Sequence, residues 1–156
     1  METTATKVDW QELVSESYYE TIWAIEAQIR AFDNEEALIG LRHLYENMNK
    51  RDKRELKSFV VLLMVHVIKW KEQPQKRSMS WVRTIFNART EIEEKQEDTP
   101  NLTAEYIESI WESCFERATT NAGYEMGMSS KEVKKFEPTP LTWQEVFEDE
   151  YLLEND

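Results

Sequence analysis

The sequence predicts an all-α protein, a single-domain helical bundle of five or six helices. Three glycines and four prolines in 156 residues are too few for a turn-rich sandwich or barrel. Apolar residues recur three and four positions apart along most of the chain, which is the period of amphipathic helices. With 40% hydrophobic residues, the chain is suited to one core over residues 1–156.

The first 50 residues predict two helices. Asp9 is placed to cap a helix whose apolar stripe continues to Phe32. Asn34, followed by two glutamates, predicts the start of a second helix, and Asn49 predicts its end in a left-handed turn. The buried positions expected on this second helix are Leu38, Leu41, Leu44 or Tyr45, and Met48.

A third helix over residues 52–73 is predicted to be the buried centre of the bundle. Residues 59–68 form the longest apolar run, and His66 interrupts it. Because apolar residues occur on every side of this helix, we expect other helices to surround it. Pro74 ends it, since the residue before a proline is pushed out of helical geometry.

Caps and periodicity place the remaining elements. Ser80 predicts the start of a fourth helix, and Thr103 that of a fifth, which ends at Gly123 or Gly127. A short helix is expected over residues 130–136. Thr142 and Glu145 form a capping box that opens a last helix. Residues 149–156 are expected to form an acidic tail.

Charge is unevenly distributed along the chain. The total is −12, with −6 in residues 1–50, +5 in residues 51–95 and −11 in residues 96–156. We interpret the basic middle as pairing with the acidic flanks. The acidic total disfavours nucleic acid and leaves a basic protein as the expected partner.

The sequence also bounds the compartment. A single cysteine, Cys114, cannot form an internal disulfide, and no secretion signal is visible at the amino terminus. The longest apolar run is far shorter than the ~20 residues that a membrane-spanning helix needs. We therefore expect a cytoplasmic protein without a membrane segment. No cofactor is indicated, and the oligomeric state is left open.

A set of short motifs extends from the third predicted helix to the end of the chain. It consists of Leu62-Leu63, His66, Lys69-Trp70, Gln73-Pro74, Arg77-Ser78, Ser80-Trp81, Thr84-Ile85, Arg89, the 99–102 turn and the 136–147 stretch. With these motifs, nearly the whole chain resembles a bacterial, largely cyanobacterial, family known as domain-of-unknown-function family 29. The resemblance implies an all-helical single domain and no transferable activity. In place of an acidic pair on the second helix of such sequences, this chain has His43-Leu44 before Glu46.

Two groups of residues are candidates for a site. His66 is expected to hydrogen-bond Glu46 from the second helix, and His43 could join them as a third metal ligand, although we assign no metal site because such sites usually need more ligands. Candidate catalytic residues are Glu46, His66 and Lys69. A candidate anion pocket, with aromatic walls, comprises Arg77, Arg83, Arg89, Trp70 and Trp81.

The hypothesis that follows is a non-enzymatic interaction or regulatory protein whose acidic surface engages a basic partner. The alternative is a small hydrolase or nuclease that uses Glu46, His66, Lys69 and Arg83. Cys114 lies in an apolar stripe and is expected to be a packed thiol rather than a nucleophile.

Overall fold

The computed structural model of the chain describes residues 7–154, and no β-strand occurs among them. The all-α prediction is confirmed. A 3-10 turn at Pro74–Lys76 and a π-helical turn at Gln144–Glu148 supplement the α-helices. In chain order these are α1 (Trp10–Glu16), α2 (Tyr18–Arg30), α3 (Asn34–Glu72), α4 (Met79–Asp98), α5 (Ala104–Glu125) and α6 (Ser130–Lys135).

Two compact units divide the chain, unit 1 at Met1–Asp52 and unit 2 at Lys53–Asp156. Helix α3 contributes residues to both units. Within the described residues, no helix is both long and apolar enough to cross a membrane.

The helix predicted to run from Asp9 to Phe32 is two helices. Asp9 caps α1 as expected by accepting a hydrogen bond from the Glu12 amide. Ser17 then adopts an extended backbone, and its hydroxyl accepts from the Glu20 amide to begin α2. Because serine side chains compete for backbone donors, a cap can lie inside a stripe whose apolar spacing is unbroken.

The predicted helix end at Asn49 is wrong, because α3 is continuous from Asn34 to Glu72. A single asparagine costs a helix only about 0.7 kcal/mol relative to alanine. The residues on either side of it are strong helix formers: Glu46, Met48, Lys50, Arg51, Lys53 and Arg54. Their combined preference outweighs the asparagine.

Unit 1 is built on an antiparallel hairpin of α2 and the first half of α3. The Tyr18 hydroxyl, at the start of α2, donates to Asn47 Oδ1 at 2.8 Å. Nearer the turn, Ile25 lies so close to Gly40 that a Cβ atom on the glycine would be 2.9 Å from Ile25 Cγ1. We call the buried line of contact between the two helices the hairpin seam.

The hairpin seam uses small residues that the sequence analysis did not select. Ala37 and Gly40 are buried on α3, and Leu44 is half-buried beside them. The positions predicted to be buried were wrong in most cases, because the helical period identifies a stripe but not the side that a neighbour covers. Leu38, Leu41 and Met48 are exposed instead, and of the alternatives Leu44 and Tyr45 it is Leu44 that packs against the core.

Unit 2 surrounds the second half of α3, which confirms the predicted buried helix over residues 52–73. Leu56, Val60 and Leu63 have no exposed surface, and the core continues into α4 and α5. α3 ends before Pro74 as predicted, and α4 is capped by Ser78 rather than Ser80. The residues 141–153, here called the C-terminal segment, add Leu141 and Val146 to this core.

Other caps in unit 2 follow the sequence. Thr103 caps α5, and Gly127, with a φ of 86°, follows its end. Thr142 and Glu145 form both hydrogen bonds of the predicted capping box, although the element they open is the π-helical turn. Tyr151, from the predicted acidic tail, packs against the core.

Phe32 gives a test of backbone strain in the hairpin turn. Its φ is 61°, a region that bulky residues rarely adopt, and its side chain is 92% exposed. We expect Phe32→Gly to raise the free energy of unfolding by about 1 kcal/mol, because glycine adopts this conformation without strain and little buried surface is lost. Urea unfolding followed by circular dichroism measures it.

Gly127→Ala is the matched control of opposite sign. A Cβ atom there would meet nothing within 4 Å, so only the positive φ opposes it. We expect a loss of about 1 kcal/mol. A destabilised Phe32→Gly protein would contradict the assignment of strain to Phe32.

Candidate functional site

Arg89 on α4 holds the C-terminal segment in place. Its Nε donates to the Val146 carbonyl at 2.9 Å and its Nη1 donates to the Asp149 carbonyl at 2.8 Å. Its guanidinium group lies 5.5 Å from the centre of the Tyr151 ring. Burial raises the pKa of Tyr151 to about 12, so its hydroxyl keeps its proton and donates to the Glu145 carbonyl. The cation of Arg89 is thus used within the fold.

Arg77 and Trp70 form a second internal contact. Arg77 Nε donates to the Trp70 carbonyl at 2.9 Å, and the guanidinium group lies 4.6 Å from the centre of the Trp70 ring. The edge of Trp70 in turn meets Tyr151, with 5.3 Å between ring centres. These contacts give Arg77 and Trp70 structural roles, and their role in an anion pocket stays a prediction.

His66 and Lys69 lie three positions apart on α3, and Lys69 contacts side chains of α4 and α5. Lys69 is buried, with its Nζ 4.8 Å from the Trp81 ring centre and 3.4 Å from Glu125 Oε1. His66 Nδ1 lies 3.0 Å from the Leu62 carbonyl, so Nδ1 carries a proton and donates. Arg83, the remaining cation of the predicted site, is exposed on α4.

The environment of His66 favours the neutral imidazole. Burial lowers its pKa below the usual value, against the hydrogen bond to the Leu62 carbonyl, which raises it. The nearby Lys69 lowers it further, and Glu125 opposes this. A neutral imidazole with a proton on Nδ1 keeps the lone pair on Nε2.

The predicted hydrogen bond between Glu46 and His66 is wrong. It requires two helices that fold back on one another, but both residues lie on the single helix α3. Twenty positions along an α-helix span about 30 Å. His43, twenty-three positions before His66 on the same helix, lines a cleft of about 240 Å³ with Glu46 in unit 1. Among the described residues, no three His, Cys, Asp or Glu side chains are grouped to hold a metal ion.

A separate cleft of about 350 Å³ opens between α3 and α5 in unit 2. Glu125, the partner of Lys69, lines it together with Arg117, Asn121 and Ser58, while His66 is not among its lining residues. Apolar side chains from α3 form the rest of its surface. The catalytic roles of Glu46, His66 and Lys69 stay a prediction.

The largest unexplained feature is an apolar surface on unit 1. Ile22, Ile29, Leu41 and Met48 form an inner row that is 44–52% exposed. Farther round the helices, an outer row consisting of Tyr19, Trp23, Leu38 and Tyr45 is 61–75% exposed. We call these eight residues the hairpin face. Patches on ordinary monomers reach roughly 300–600 Å², and three aromatic side chains alone supply much of that area.

Helical geometry places the two halves of the inner row, one on α2 and one on α3, on the same side of the hairpin. Ile29 follows the buried Ile25 by four positions, and Leu41 follows the buried Ala37 by four positions. A four-residue step rotates a side chain by about 40° in the same sense on each helix. Because α2 and α3 are antiparallel, equal rotation brings the α2 half and the α3 half of the inner row to the same side of the hairpin seam.

α1 covers the opposite side of the hairpin. Trp10 Nε1 donates to Glu36 Oε1 at 2.7 Å, and Glu36 precedes Gly40 by four positions, a rotation in the other sense. A Cβ atom on Gly40 would also lie 2.7 Å from the Trp10 ring. Unit 1 therefore has one side covered by its own helix and one side, the hairpin face, open.

Sequence analysis missed this surface, although the signal was present. The stripe predicted between Asp9 and Phe32 includes Ile22 and Ile29 beside Trp10 and Ile25. The buried stripe predicted on the second helix includes Leu41 and Met48. Two helices that contact along one seam bury only one stripe each. Apolar residues beyond that stripe indicate a surface for a further element.

Arg89→Ala tests the structural role of the first predicted anion ligand. We expect the free energy of unfolding to fall by about 2–3 kcal/mol, since carbonyl groups at Val146 and Asp149 lose a charged donor. Arg83→Ala, an exposed position on the same helix, is the control and should change stability by less than about 0.5 kcal/mol. Equal effects of both substitutions in guanidinium unfolding would contradict this role.

His66→Gln tests the pH dependence of stability. A lowered pKa in the folded state means that the unfolded chain binds the proton more tightly, so His66 destabilises the fold as the pH falls below about 6.5. Between about pH 7.5 and pH 5.5 the wild-type melting temperature should fall further than that of His66→Gln. His43→Gln controls for loss of a histidine, and a wild-type decrease matched by His66→Gln would contradict the prediction.

Comparison with known proteins gave one family and no relative of known activity. Searches among curated proteins and solved structures found no significant match. A family model matches residues 21–152, which span the hairpin, the buried half of α3 and the C-terminal segment. The chain therefore belongs to the family described as "Domain of unknown function DUF29".

Proposed function

We propose that the chain is a protein-interaction module whose working surface is the hairpin face. The observation that supports this is the exposure of eight large apolar side chains on one side of unit 1, arranged in rows at helical spacing. Extended apolar surfaces on proteins in water are characteristic of binding sites, because leaving them hydrated costs free energy.

The shape of the surface suits an amphipathic helix as the bound element. The inner row lies between the outer residues of α2 and those of α3. On each helix the hairpin face spans ten positions, 19–29 on α2 and 38–48 on α3, or roughly 15 Å. A partner helix placed along the inner row would complete a three-helix arrangement and bury apolar residues at i, i+3, i+4 and i+7. Aromatic side chains in the outer rows supply contact area of the kind found at binding hot spots.

The enzymatic alternative at Glu46, His66, Lys69 and Arg83 stays a hypothesis. No observation on the described residues favours it over an interaction role. The buried contacts of Lys69 with Trp81 and Glu125 support a structural role for that residue.

A designed peptide tests the proposal directly. The probe is a fluorescein-labelled amphipathic helix of about 16 residues with leucines at i, i+3, i+4 and i+7 spacing and glutamine elsewhere. We expect Ile22→Gln/Leu41→Gln to weaken its binding by about tenfold or more, since two apolar contacts of roughly 1 kcal/mol each are lost. Fluorescence anisotropy measures the dissociation constant.

Phe86→Gln is the matched control. Phe86 is 68% exposed on α4 in unit 2, and its replacement should leave peptide binding unchanged. Circular dichroism should show equal helix content in all variants, because every substituted side chain is already exposed. Failure of the wild-type chain to bind the peptide, or equal binding by Ile22→Gln/Leu41→Gln, would overturn the proposal.

A further inference from the structure

We infer that the hairpin face of one copy of the chain docks on the hairpin face of a second copy, with each helix of the face antiparallel to its counterpart. The product is a homodimer with a two-fold axis. This inference rests on the proposed function and names the partner. The width of the face, its area, the spacing and symmetry of its rows and the charge within it support a second copy.

The hairpin face is two helices wide. Its inner row follows the hairpin seam, whereas its more exposed outer row lies farther round α2 on one side and α3 on the other. One docked helix, about 10 Å across, covers the inner row and leaves much of the outer row in water. A partner that covers both rows has to present two helices side by side, and a second hairpin does so.

The area of the face suits such a dimer. At exposures of 44–75%, its eight side chains supply roughly 800 Å² of surface per copy. A specific interface of standard size buries about 800 Å² on each partner. Two hairpin faces that cover one another therefore reach the size of a stable interface without any contact from unit 2.

On α3 the face has the spacing expected of its own partner. Its apolar residues follow one another at steps of three, four and three positions: Leu38, Leu41, Tyr45 and Met48. This is the heptad spacing with which one helix packs along another. The chain thus carries both an apolar surface and a stripe of the kind that fits it.

Contacts within unit 1 give the register of α2 beside α3. Ile25 lies beside Gly40. Seven positions nearer the start of α2, Tyr18 hydrogen-bonds Asn47, which lies seven positions farther along α3. Position 22 of α2 is therefore level with position 43 of α3, and position 29 is level with position 36.

This register makes the inner row symmetric about position 42 of α3. Ile29 and Met48 lie six positions on either side of that level. Ile22 and Leu41 lie one position on either side of it. A two-fold axis that crosses the helices there places Ile29 of each copy against Met48 of the other, and gathers Ile22 and Leu41 of both copies around the axis. An axis parallel to the helices would instead place Met48 level with Ser17, the polar cap of α2.

Charge within and around the face is compatible with a second copy. Glu26 lies beside the inner row on α2, and its carboxylate is already paired with Arg30 at 2.7 Å. Each chain carries a net charge of −12, so two copies repel one another at long range. Salt screens this repulsion, so the dimer should strengthen as salt rises, which is the reverse of the dependence for a basic partner.

Sedimentation equilibrium of the full chain at about 200 µM tests the dimer. We expect the wild type to have a mass close to twice 18.7 kDa. Ile22→Gln/Leu41→Gln removes apolar contacts at the axis and should raise the dissociation constant of the dimer by about tenfold or more. Phe86→Gln, exposed on α4, is the control and should leave it unchanged. Raising the salt from about 0.02 M to about 0.5 M should lower the wild-type dissociation constant by about twofold or more.

Cysteine crosslinking tests the position of the axis. Along the helices, the two copies of Ile22 would lie about 3 Å apart and the two copies of Ile29 about 18 Å apart. A short bismaleimide should therefore link Ile22→Cys into a dimer and leave Ile29→Cys, the matched control in the same row, as a monomer on a denaturing gel. The native Cys114 is buried, so the wild type provides the background.

The outcomes separate this inference from the proposed function. A wild-type monomer at about 200 µM that still binds the leucine peptide, with binding lost in Ile22→Gln/Leu41→Gln, would overturn the second copy and leave the interaction module standing. A monomer that binds no peptide would overturn both.

Three other results would also overturn the inference. The first is a dimer that Ile22→Gln/Leu41→Gln leaves intact or that weakens as salt rises. The second is equal crosslinking of Ile22→Cys and Ile29→Cys, which would exclude the crossing axis. The third is a monomer that binds phosphatidylcholine vesicles through the hairpin face, with binding lost in Ile22→Gln/Leu41→Gln, which would identify a membrane surface as the occupant.

Discussion

Two helices that meet along one seam can bury only one stripe each, and unit 1 depends on this constraint. Its seam is narrow because Gly40 lets α3 approach Ile25 and Trp10 closely. α1 is seven residues long and covers one side of the hairpin. The apolar content of α2 and α3 exceeds what the seam and α1 can bury, so the remainder forms the hairpin face. Phe32, held at a strained φ and almost fully exposed at the turn, departs from the local rule that favours glycine there.

In unit 2 the apolar surface of α3 is covered rather than exposed. Around Leu63 and Val67, α3 is apolar on every side, and α4, α5 and the C-terminal segment cover it. Arg89 holds that segment in place by donating to carbonyls in and just after the π-helical turn. One continuous helix thus supplies a covered core in one unit and an open surface in the other.

Local sequence signals predicted several of the helix caps in this fold. Asp9, Thr103 and Thr142 act as caps because their side-chain oxygens lie next to amides that helices leave unpaired. The continuity of α3 was not predictable from Asn49, whose small cost depends on the helix formers around it. The predicted burial of Leu41 and Met48 is wrong for another reason. A helical period shows which residues share a stripe, whereas the neighbour that covers the stripe is determined by the tertiary structure. The predicted Glu46–His66 hydrogen bond is wrong because it assumed that residues 34–72 form two helices.

Charge and apolar area would act on different steps of binding at the hairpin face. Long-range charge affects the rate at which a partner encounters unit 1, and salt screens that contribution. Burial of Ile22, Ile29, Leu41 and Met48 occurs only after docking, so it governs how long the complex lasts. The lifetime of such a complex is therefore expected to depend on apolar contact area, and salt is expected to change mainly the rate of association.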